Sequence, residues 1–235
     1  MYFLSKDCFV CKIGCYWIIL SARRDRYLCV AHADLASIGN HLHGWQYQSI
    51  VTPMPPAEGG ANSFIESLTS NGIITCDSTM GKAFAEPRYP APERQMETAE
   101  PIRQGNGSLL RIDRFFLACA IADWQLRAGA LYRTLTRVER RRLRAGPAPT
   151  GNDEALALRL VGTFKSLRPL YPRPYLCLFD SLALLEFLAA YHFFPHVVFG
   201  VVADPFQAHC WLQEGTTVFN DDLERVGRYR PILSV

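Results

Sequence analysis

The feature that most constrains this chain is a block of regular structure near its end. The segment CLFDSLALLEFLAAYHFF starts at Cys177, directly after the proline-rich stretch YPRPYL, and predicts a helix that runs to about Tyr191. Two strands are predicted next, HVVFGVVAD and AHCWLQ, and a third strand-like segment, TTVFND, follows a short loop. A helix that leads into strands joined by short connections indicates an α+β fold.

The composition is that of a globular protein without a strong charge. Hydrophobic residues make up 49% of the 235 residues, charged residues make up 20%, and the net charge is +3. This balance does not by itself indicate a nucleic-acid partner. The longest apolar helix contains Asp180 and Glu186, and the start MYFLSKDCF lacks a secretory pattern. We therefore expect no membrane span and a cytosolic location, where the eight cysteines would be thiols.

Three regions follow one another along the chain. Residues 1–80 contain strand-like segments, two short helical segments and a closing strand at residues 73–75, which predict a small winged-helix-like domain. Residues 81–108 are rich in Pro, Glu, Arg and Gly and predict a linker. Residues 109–235 return to helical patterns and end in the strands described above, so they predict a second α+β domain.

Cys177 stands at a position that can make a thiol reactive. The positive end of the helix dipole lowers the pKa of a cysteine at the start of a helix, which favours the thiolate. Ser181, Leu184 and Leu188 share its helix face, so the cysteine begins a stripe that packs inward. Asp180 suits the start of a helix but would oppose a nearby thiolate.

A histidine and an aspartate follow in the predicted hairpin. His209 lies in one strand, and Asp221 lies at the end of the next. A three-residue loop places Asp221 directly opposite His209 or diagonally from it on the same face, depending on where the loop begins. A two-residue Glu-Gly loop would instead present Asp222. Gly215 fits the left-handed position of a three-residue loop, which favours Asp221.

Cys177, His209 and Asp221 therefore form a candidate catalytic triad. In such a triad the thiolate is the nucleophile, the imidazole holds and returns a proton, and the carboxylate orients the imidazole. The backbone N–H of Cys177 would be a natural oxyanion donor. Each residue alone is more often structural, since free cysteine is commonly a small buried residue. The setting of a helix start followed by a hairpin is what favours catalysis.

These residues also resemble a known family. A cysteine at a helix start, a strand with His-x-Trp and a strand that ends in Asn-Asp are similar to the transglutaminase-like fold of papain-type cysteine peptidases. More narrowly, they resemble the leader peptidases of lasso-peptide biosynthesis, called B proteins. The matching residues are Cys177, Ser181, the Phe-Gly-Val of residues 199–201, Phe206, Ala208, His209, Trp211, Asn220 and Asp221. Cys210 departs from the alanine usual in this family, and Leu212-Gln213 departs from a common Val-Glu pair.

The resemblance implies a function for both domains. The second domain would remove the leader of a ribosomally made precursor peptide, with Cys177, His209 and Asp221 as catalytic residues. The first domain would be a precursor recognition element, which binds the leader as an added strand at a sheet edge. The freed core would pass to an asparagine-synthetase-like macrolactam synthetase. The resemblance implies ATP dependence, yet the sequence has no recognisable cofactor motif, neither GxxxxGK[ST] nor GxGxxG.

Other functions fit parts of the sequence. A transglutaminase or acyltransferase would use the same triad with another acceptor, and a non-catalytic leader-binding scaffold would not need it. DNA binding is disfavoured, because the helical segments HADLASIGNHLHG and NSFIESLTS contain no Lys or Arg.

Two further clusters have a structural and a functional interpretation. A zinc site would draw on closely spaced ligands, but half-buried strand thiols are the simpler interpretation. Those ligands would be Cys8, Cys11, Cys15, Cys29 and His32. The basic run at residues 137–144 is typical of a solvated helix face, although it could also dock an acidic partner.

Overall fold

The computed structural model of the chain describes residues 1–47, 60–96, 108–128, 131–145 and 152–235. Its internal contacts divide the chain into two compact units. The first contains Met1–Arg88, Val201–Gln207 and Arg230–Leu233. The second contains Tyr89–Gly200, Ala208–Tyr229 and Ser234–Val235. Each unit therefore combines segments that are distant in the sequence.

The first unit is built from short antiparallel strands and two helices. Its elements are β1 (Phe3–Ser5), β2 (Cys8–Ile13), β3 (Tyr16–Ser21), β4 (Arg26–Ala31), α1 (His32–Ser37), α2 (Gly60–Ser70), β5 (Ile74–Thr75) and β6 (Gly81–Lys82). Strands β2, β3 and β4 form one antiparallel sheet in that order, and β1 lies between β5 and β6 in another. The strands, helices and closing strand follow in the predicted order, while the winged-helix type remains a prediction.

Aromatic rings form the centre of the core of this unit. Trp17 of β3 is fully buried and contacts the rings of Trp45, Tyr47 and Phe84 at centroid distances of 4.7–5.5 Å. Such rings bury a large apolar area each, which lets a small unit of short strands hold a core.

The rest of the chain forms helices and a five-stranded sheet, and most of their residues belong to the second unit, while residues 201–203, 206–207 and 230–233 belong to the first. The elements are β7 (Arg94–Gln95), α3 (Ser108–Ala128), α4 (Leu131–Ala145), α5 (Asn152–Leu167), α6 (Cys177–Ala189), β8 (His196–Ala203), β9 (Phe206–Glu214), β10 (Thr217–Val218), α7 (Leu223–Val226) and β11 (Arg230–Ser234). The strand order is β11-β8-β9-β10-β7, with β10 antiparallel to β9 and parallel to β7. This mixture of helix and strand agrees with the predicted α+β class.

Helix α6 is the buried centre of this unit. Every residue at positions 179–188 except Asp180 is buried, and the helix packs chiefly on α3 and also on α5. A helix that is apolar on all sides is expected at such a position. In the part of the chain that the structure describes, no helix is both long and apolar enough to cross a membrane.

Part of the predicted linker, residues 81–108, belongs to the sheet. The N–H groups of Glu93 and Arg94 donate to the carbonyl of Thr216 at 2.8 and 3.1 Å, and the N–H of Met96 donates to Val218 at 2.8 Å. This differs from the linker prediction because a two-residue strand leaves no periodic pattern, and its pairing partner lies more than a hundred residues away. Residues 97–107 of the predicted linker lie outside the described residues.

The hairpin between β9 and β10 also differs from the prediction. Glu214 pairs with Thr217 and Gln213 with Val218, so only Gly215 and Thr216 form the loop. The predicted three-residue loop is therefore wrong. Gly215 nevertheless has a φ of +55°, in the left-handed region where glycine carries no steric penalty.

Candidate active site

Cys177 is the first residue of α6, and the chain enters the helix in an extended conformation. Leu176, directly before it, has φ −132° and ψ 124°. The Cys177 side chain is half-buried. A thiol at this position faces the unpaired N–H groups of the first helical turn, which stabilise a thiolate.

The negative charge of Asp180 is compensated. Its carboxylate contacts the guanidinium of Arg168 and also accepts a hydrogen bond from the N–H of Leu176 at 2.8 Å. The sequence indicates that the Asp180 carboxylate would repel a Cys177 thiolate. Arg168, which precedes the helix, neutralises this negative charge.

His209 and Asp221 are in direct contact. The Nε2 atom of His209 lies against Oδ2 of Asp221, and both side chains are largely buried. The Cys177 thiol lies on the side of the ring away from Asp221, because hydrogen bonding between thiol and imidazole shifts the pKa of each and the carboxylate takes Nε2, which leaves Nδ1 for the thiol. The structure therefore brings together all three predicted residues, in the order thiol, imidazole, carboxylate.

Asp221 reaches His209 because the β10 strand leaves its ladder early. The N–H of Phe219 still donates to the carbonyl of Leu212 at 2.9 Å. The N–H of Leu212, however, donates to the side-chain oxygen of Asn220 at 2.7 Å and not to a main-chain carbonyl. The side-chain oxygen of Asn220 thus replaces the main-chain carbonyl that would normally accept this hydrogen bond. The next residue, Asp221, leaves the strand and turns toward the His209 ring.

The surroundings favour a thiolate–imidazolium pair. Hydrogen bonding by the Cys210 thiol, and then by His209, lowers the pKa of Cys177 to about 4. Burial opposes a charge on His209, but its hydrogen bonds with Asp221 and Cys177 outweigh burial and raise its pKa to about 9. Burial also opposes the Asp221 carboxylate, whose bonds to His209 and to the Asp222 N–H nevertheless lower its pKa. At neutral pH the site thus holds a nucleophilic thiolate and a protonated histidine.

The three residues line a cleft of about 390 Å³. Its walls include the rings of Phe164 and Tyr175 and the cations Lys165 and Arg225. Burial lowers the pKa of Lys165, while the nearby Asp221 carboxylate acts in the opposite direction. A cleft with apolar walls and a few convergent polar groups is typical of a substrate site.

Comparison with known families agrees with this geometry. Residues 120–234 match the family model of the transglutaminase-like superfamily. The C-terminal part of the chain is a transglutaminase-like domain. The matched region contains Cys177, His209 and Asp221, and it indicates an enzyme of the cysteine-peptidase type. No curated protein and no solved structure matched the chain in the other two comparisons.

A polar clamp joins α6 to β9 in the transglutaminase-like domain. The Ser181 hydroxyl donates to the carbonyl of Cys210 at 3.2 Å and accepts from the Asn220 amide at 2.9 Å. It also lies 3.8 Å from the Cys210 thiol. The sequence showed Ser181 and Asn220 as matching residues without a role, and Cys210 only as a departure from the family pattern. Their shared task is to fix the strand that carries His209 against the helix that carries Cys177.

Two aromatic rings flank His209. The Trp211 ring lies 6.1 Å from the imidazole centroid, and the Tyr229 ring lies 5.1 Å away. Trp211 is fully buried, and its indole N–H donates to the Gln213 side chain at 2.9 Å. Trp211 therefore has a core role in addition to covering the ring. Tyr229 was not predicted, because nothing in its local pattern indicates that it returns to β9.

The other two sequence clusters have structural partners. Cys8 and Cys11 are buried in β2, and burial raises their pKa values to about 11 and about 12. The His32 ring accepts a hydrogen bond from the Trp17 indole at 3.0 Å. Over the described ranges, no group of His, Cys, Asp and Glu is arranged to hold a metal ion.

Two arginines of the basic run are partly buried and form ion pairs. Arg141 contacts Glu186 at 2.6 Å, and Arg142 contacts Glu214 at 3.2 Å. The run is therefore solvated only in part, because α4 turns these two side chains toward carboxylates of α6 and β9.

Proposed function

We propose that the protein is a cysteine peptidase that binds a ribosomally made precursor peptide and removes its leader during lasso-peptide maturation. The observation that carries the peptidase part is the contact series Cys177–His209–Asp221 at the wall of a 390 Å³ cleft. The resemblance of residues 177–221 to leader peptidases supports the substrate class.

The three side chains suit each step of amide hydrolysis. The Cys177 thiolate attacks the scissile carbonyl, and the backbone N–H of Cys177 at the helix start stabilises the oxyanion. His209, already protonated, gives its proton to the leaving amine as the thioester forms. His209 then removes a proton from water, which attacks the thioester and releases the leader. Asp221 holds the ring in place throughout.

The first unit offers a surface for the leader. Among the described strands, β4 pairs with β3 and is the outer strand of its sheet. Leu28 and Cys29 on this strand are exposed. An extended peptide can add to such an edge as a further strand, with main-chain hydrogen bonds supplying affinity.

The partner of the second step would be an asparagine-synthetase-like macrolactam synthetase, which receives the freed core. We assign the ATP requirement that the resemblance implies to this partner. The reaction would occur in the cytosol, where the cysteines stay reduced and Cys177 stays active.

An acyltransferase is the second candidate, because the matched superfamily is transglutaminase-like. Both reactions share the Cys177 thioester and differ only in the acceptor, which is water or an amine. The abundance of each product with and without a competing amine separates the two.

The decisive experiment is incubation of the protein with the precursor peptide encoded beside its gene, followed by mass spectrometry. Each reaction is run with and without ATP and the neighbouring synthetase, and with glycine amide as a competing acceptor. Cys177→Ala is the variant that should be inactive. Cys15→Ala is the matched control, because it removes an exposed thiol in the turn at residues 14–15.

A leader acid formed by the wild type and by Cys15→Ala, but not by Cys177→Ala, supports the peptidase. A leader amide that forms faster than the acid supports the acyltransferase. If the wild type and Cys177→Ala bind the precursor equally and neither cuts it, the peptidase and acyltransferase proposals are both contradicted. That result indicates a leader-binding scaffold.

A further inference from the structure

Arg168 is a buried arginine directly before the segment that leads to the nucleophile. It is only 3% exposed. Its guanidinium donates to the carbonyls of Tyr171, Arg173 and Pro174 at 3.0–3.2 Å, and its Nε contacts the carboxylate of Asp180. Burying an arginine is costly unless its N–H groups find acceptors. Here the Arg168 side chain has four acceptor groups, namely three carbonyls and one carboxylate.

The guanidinium also contacts two aromatic rings. Its carbon is 4.5 Å from the centroid of Tyr175 and 5.1 Å from that of Phe179. Contacts of this kind fix the orientation of the planar group. Arg168 thus fixes the extended segment 171–176 through hydrogen bonds to its carbonyls and a contact with the Tyr175 ring.

Asp180 carries this restraint to the residue next to Cys177. One carboxylate oxygen contacts Arg168, and the other accepts the N–H of Leu176 at 2.8 Å. The N–H of Asp180 donates back to the Leu176 carbonyl at 2.8 Å. Leu176 is therefore bonded at both main-chain groups, immediately before the first residue of α6.

The pair also sets the charge next to the thiol. Asp180 follows Cys177 by three residues on α6, so the two side chains lie within one helical turn. An uncompensated carboxylate at this distance disfavours a thiolate. The guanidinium cancels that effect while it leaves the carboxylate available to Leu176.

We propose that Arg168 is a positioning residue for Cys177, acting through Asp180 on both the charge and the orientation of the nucleophile. This inference rests on the proposed role of Cys177 as a thiolate nucleophile. It gives the buried arginine two separable tasks, neutralising Asp180 and fixing segment 171–176.

The test is the pH dependence of Cys177 alkylation by iodoacetamide, measured on the Cys177-containing peptide by mass spectrometry, together with kcat and KM for precursor cleavage. The variants are Arg168→Gln, Arg168→Lys, Asp180→Asn and the double variant Arg168→Gln/Asp180→Asn. Arg141→Gln is the matched control, because Arg141 pairs with Glu186 of the same helix but far from Cys177. Thermal unfolding of each variant reports its stability.

We expect Arg168→Gln to move the alkylation midpoint upward by about one pH unit, since Asp180 is then uncompensated. The double variant should return the midpoint to the wild-type value, although its kcat stays low because the segment is loose. Arg168→Lys should keep the low midpoint and lower kcat. Arg141→Gln should lower the unfolding temperature without moving the midpoint.

Each failure has its own meaning. A wild-type midpoint near that of an ordinary thiol overturns the proposed nucleophile itself. A low wild-type midpoint that Arg168→Gln leaves unchanged overturns the role of Arg168. If Arg168→Gln does not fold, the other two single variants provide the test. A kcat that is unchanged in both Arg168→Lys and Asp180→Asn then overturns the positioning role of Arg168.

Discussion

The Nε2 atom of His209 contacts Asp221, although continuation of the β9–β10 ladder would align His209 with Asp222. The side chain of Asn220 takes the place of a main-chain acceptor for Leu212 and ends the ladder one step before the carboxylate. The contact between imidazole and carboxylate is therefore created by a break in strand pairing.

The two neighbouring aspartates should have different effects when changed. We expect Asp221→Asn to lower kcat by about 10²- to 10⁴-fold, because the ring loses the carboxylate that orients it and stabilises its charge. Asp222 accepts the N–H groups of Glu224 and Arg225 at the start of α7. Asp222→Asn, which keeps a helix cap, should leave kcat within about twofold of the wild type. Steady-state cleavage of the precursor compares them, and equal losses in both variants would contradict the assignment.

The pH profile should show the thiolate–imidazolium pair. The Cys177 pKa falls from 9.0 to about 4, so the thiolate contribution to stability is full above pH 9.0 and is lost as the pH falls through about 4. The His209 pKa rises from 6.5 to about 9, so its contribution to stability is full below pH 6.5 and is lost as the pH rises through about 9.

The cleavage rate should depend on the same two groups. We expect a bell-shaped pH profile with limbs near pH 4 and pH 9, and these two pKa values belong to the thiol–imidazole pair as a whole.

The control for this profile is Asp221→Asn, which removes a support of the charged ring. Its alkaline limb should move to lower pH, because His209 then loses its proton more easily. A wild-type rate that rises continuously up to pH 10 would contradict a protonated histidine in the reaction.

Cys210 should influence Cys177 through its thiol. Hydrogen bonding with Cys177, and then burial, raises the pKa of Cys210 well above its ordinary value, so it remains a donor. We expect Cys210→Ala to raise the pKa of Cys177, and Cys210→Ser, which keeps a donor, to leave that pKa low. Alkylation of Cys177 as a function of pH measures the difference. Identical profiles for the alanine and serine variants would show that the thiol is only a packing group.

Gly200 of β8 should not accept a side chain. A Cβ atom at this position would lie 2.7 Å from the Cβ of Tyr229 and 2.8 Å from the Trp211 ring. We expect Gly200→Ala to lower the free energy of unfolding by about 1–3 kcal/mol, as overpacked cores do. Gly215→Asn in the open hairpin loop, where nothing lies within 4 Å, should cost much less. Urea denaturation compares the two variants, and equal stability would contradict the close packing.

The sequence predicted the elements whose patterns are long and apolar. Helix α6 begins at Cys177 as predicted, and β8 and β9 lie where continuous apolar and aromatic residues placed them. The spacing of His209 and Asp221 also identified the residues that meet, although through a wrong loop. Strong local preference was sufficient in these cases, because burial and pattern point to the same structure.

Other features depend on partners that a local pattern cannot reveal. The two-residue strand β7 forms only through pairing with β10, which is distant in the sequence. The ladder break at Asn220 needs a side chain in the role of the backbone. Arg168 is a residue type that is almost never fully buried, so its position below segment 171–176 had no signal in the sequence.

The strand β7 has a practical consequence for dissecting the protein. An expression fragment that starts at residue 109 would keep the three candidate catalytic residues but lose β7 and the hydroxyl of Tyr89, which donates to the Gln213 carbonyl at 2.9 Å. The exposed edge of β10 would then be open to pairing with other copies, a common route to aggregation. A separately produced C-terminal fragment should therefore begin before Tyr89, well ahead of residues 120–234, the region that matches the family model.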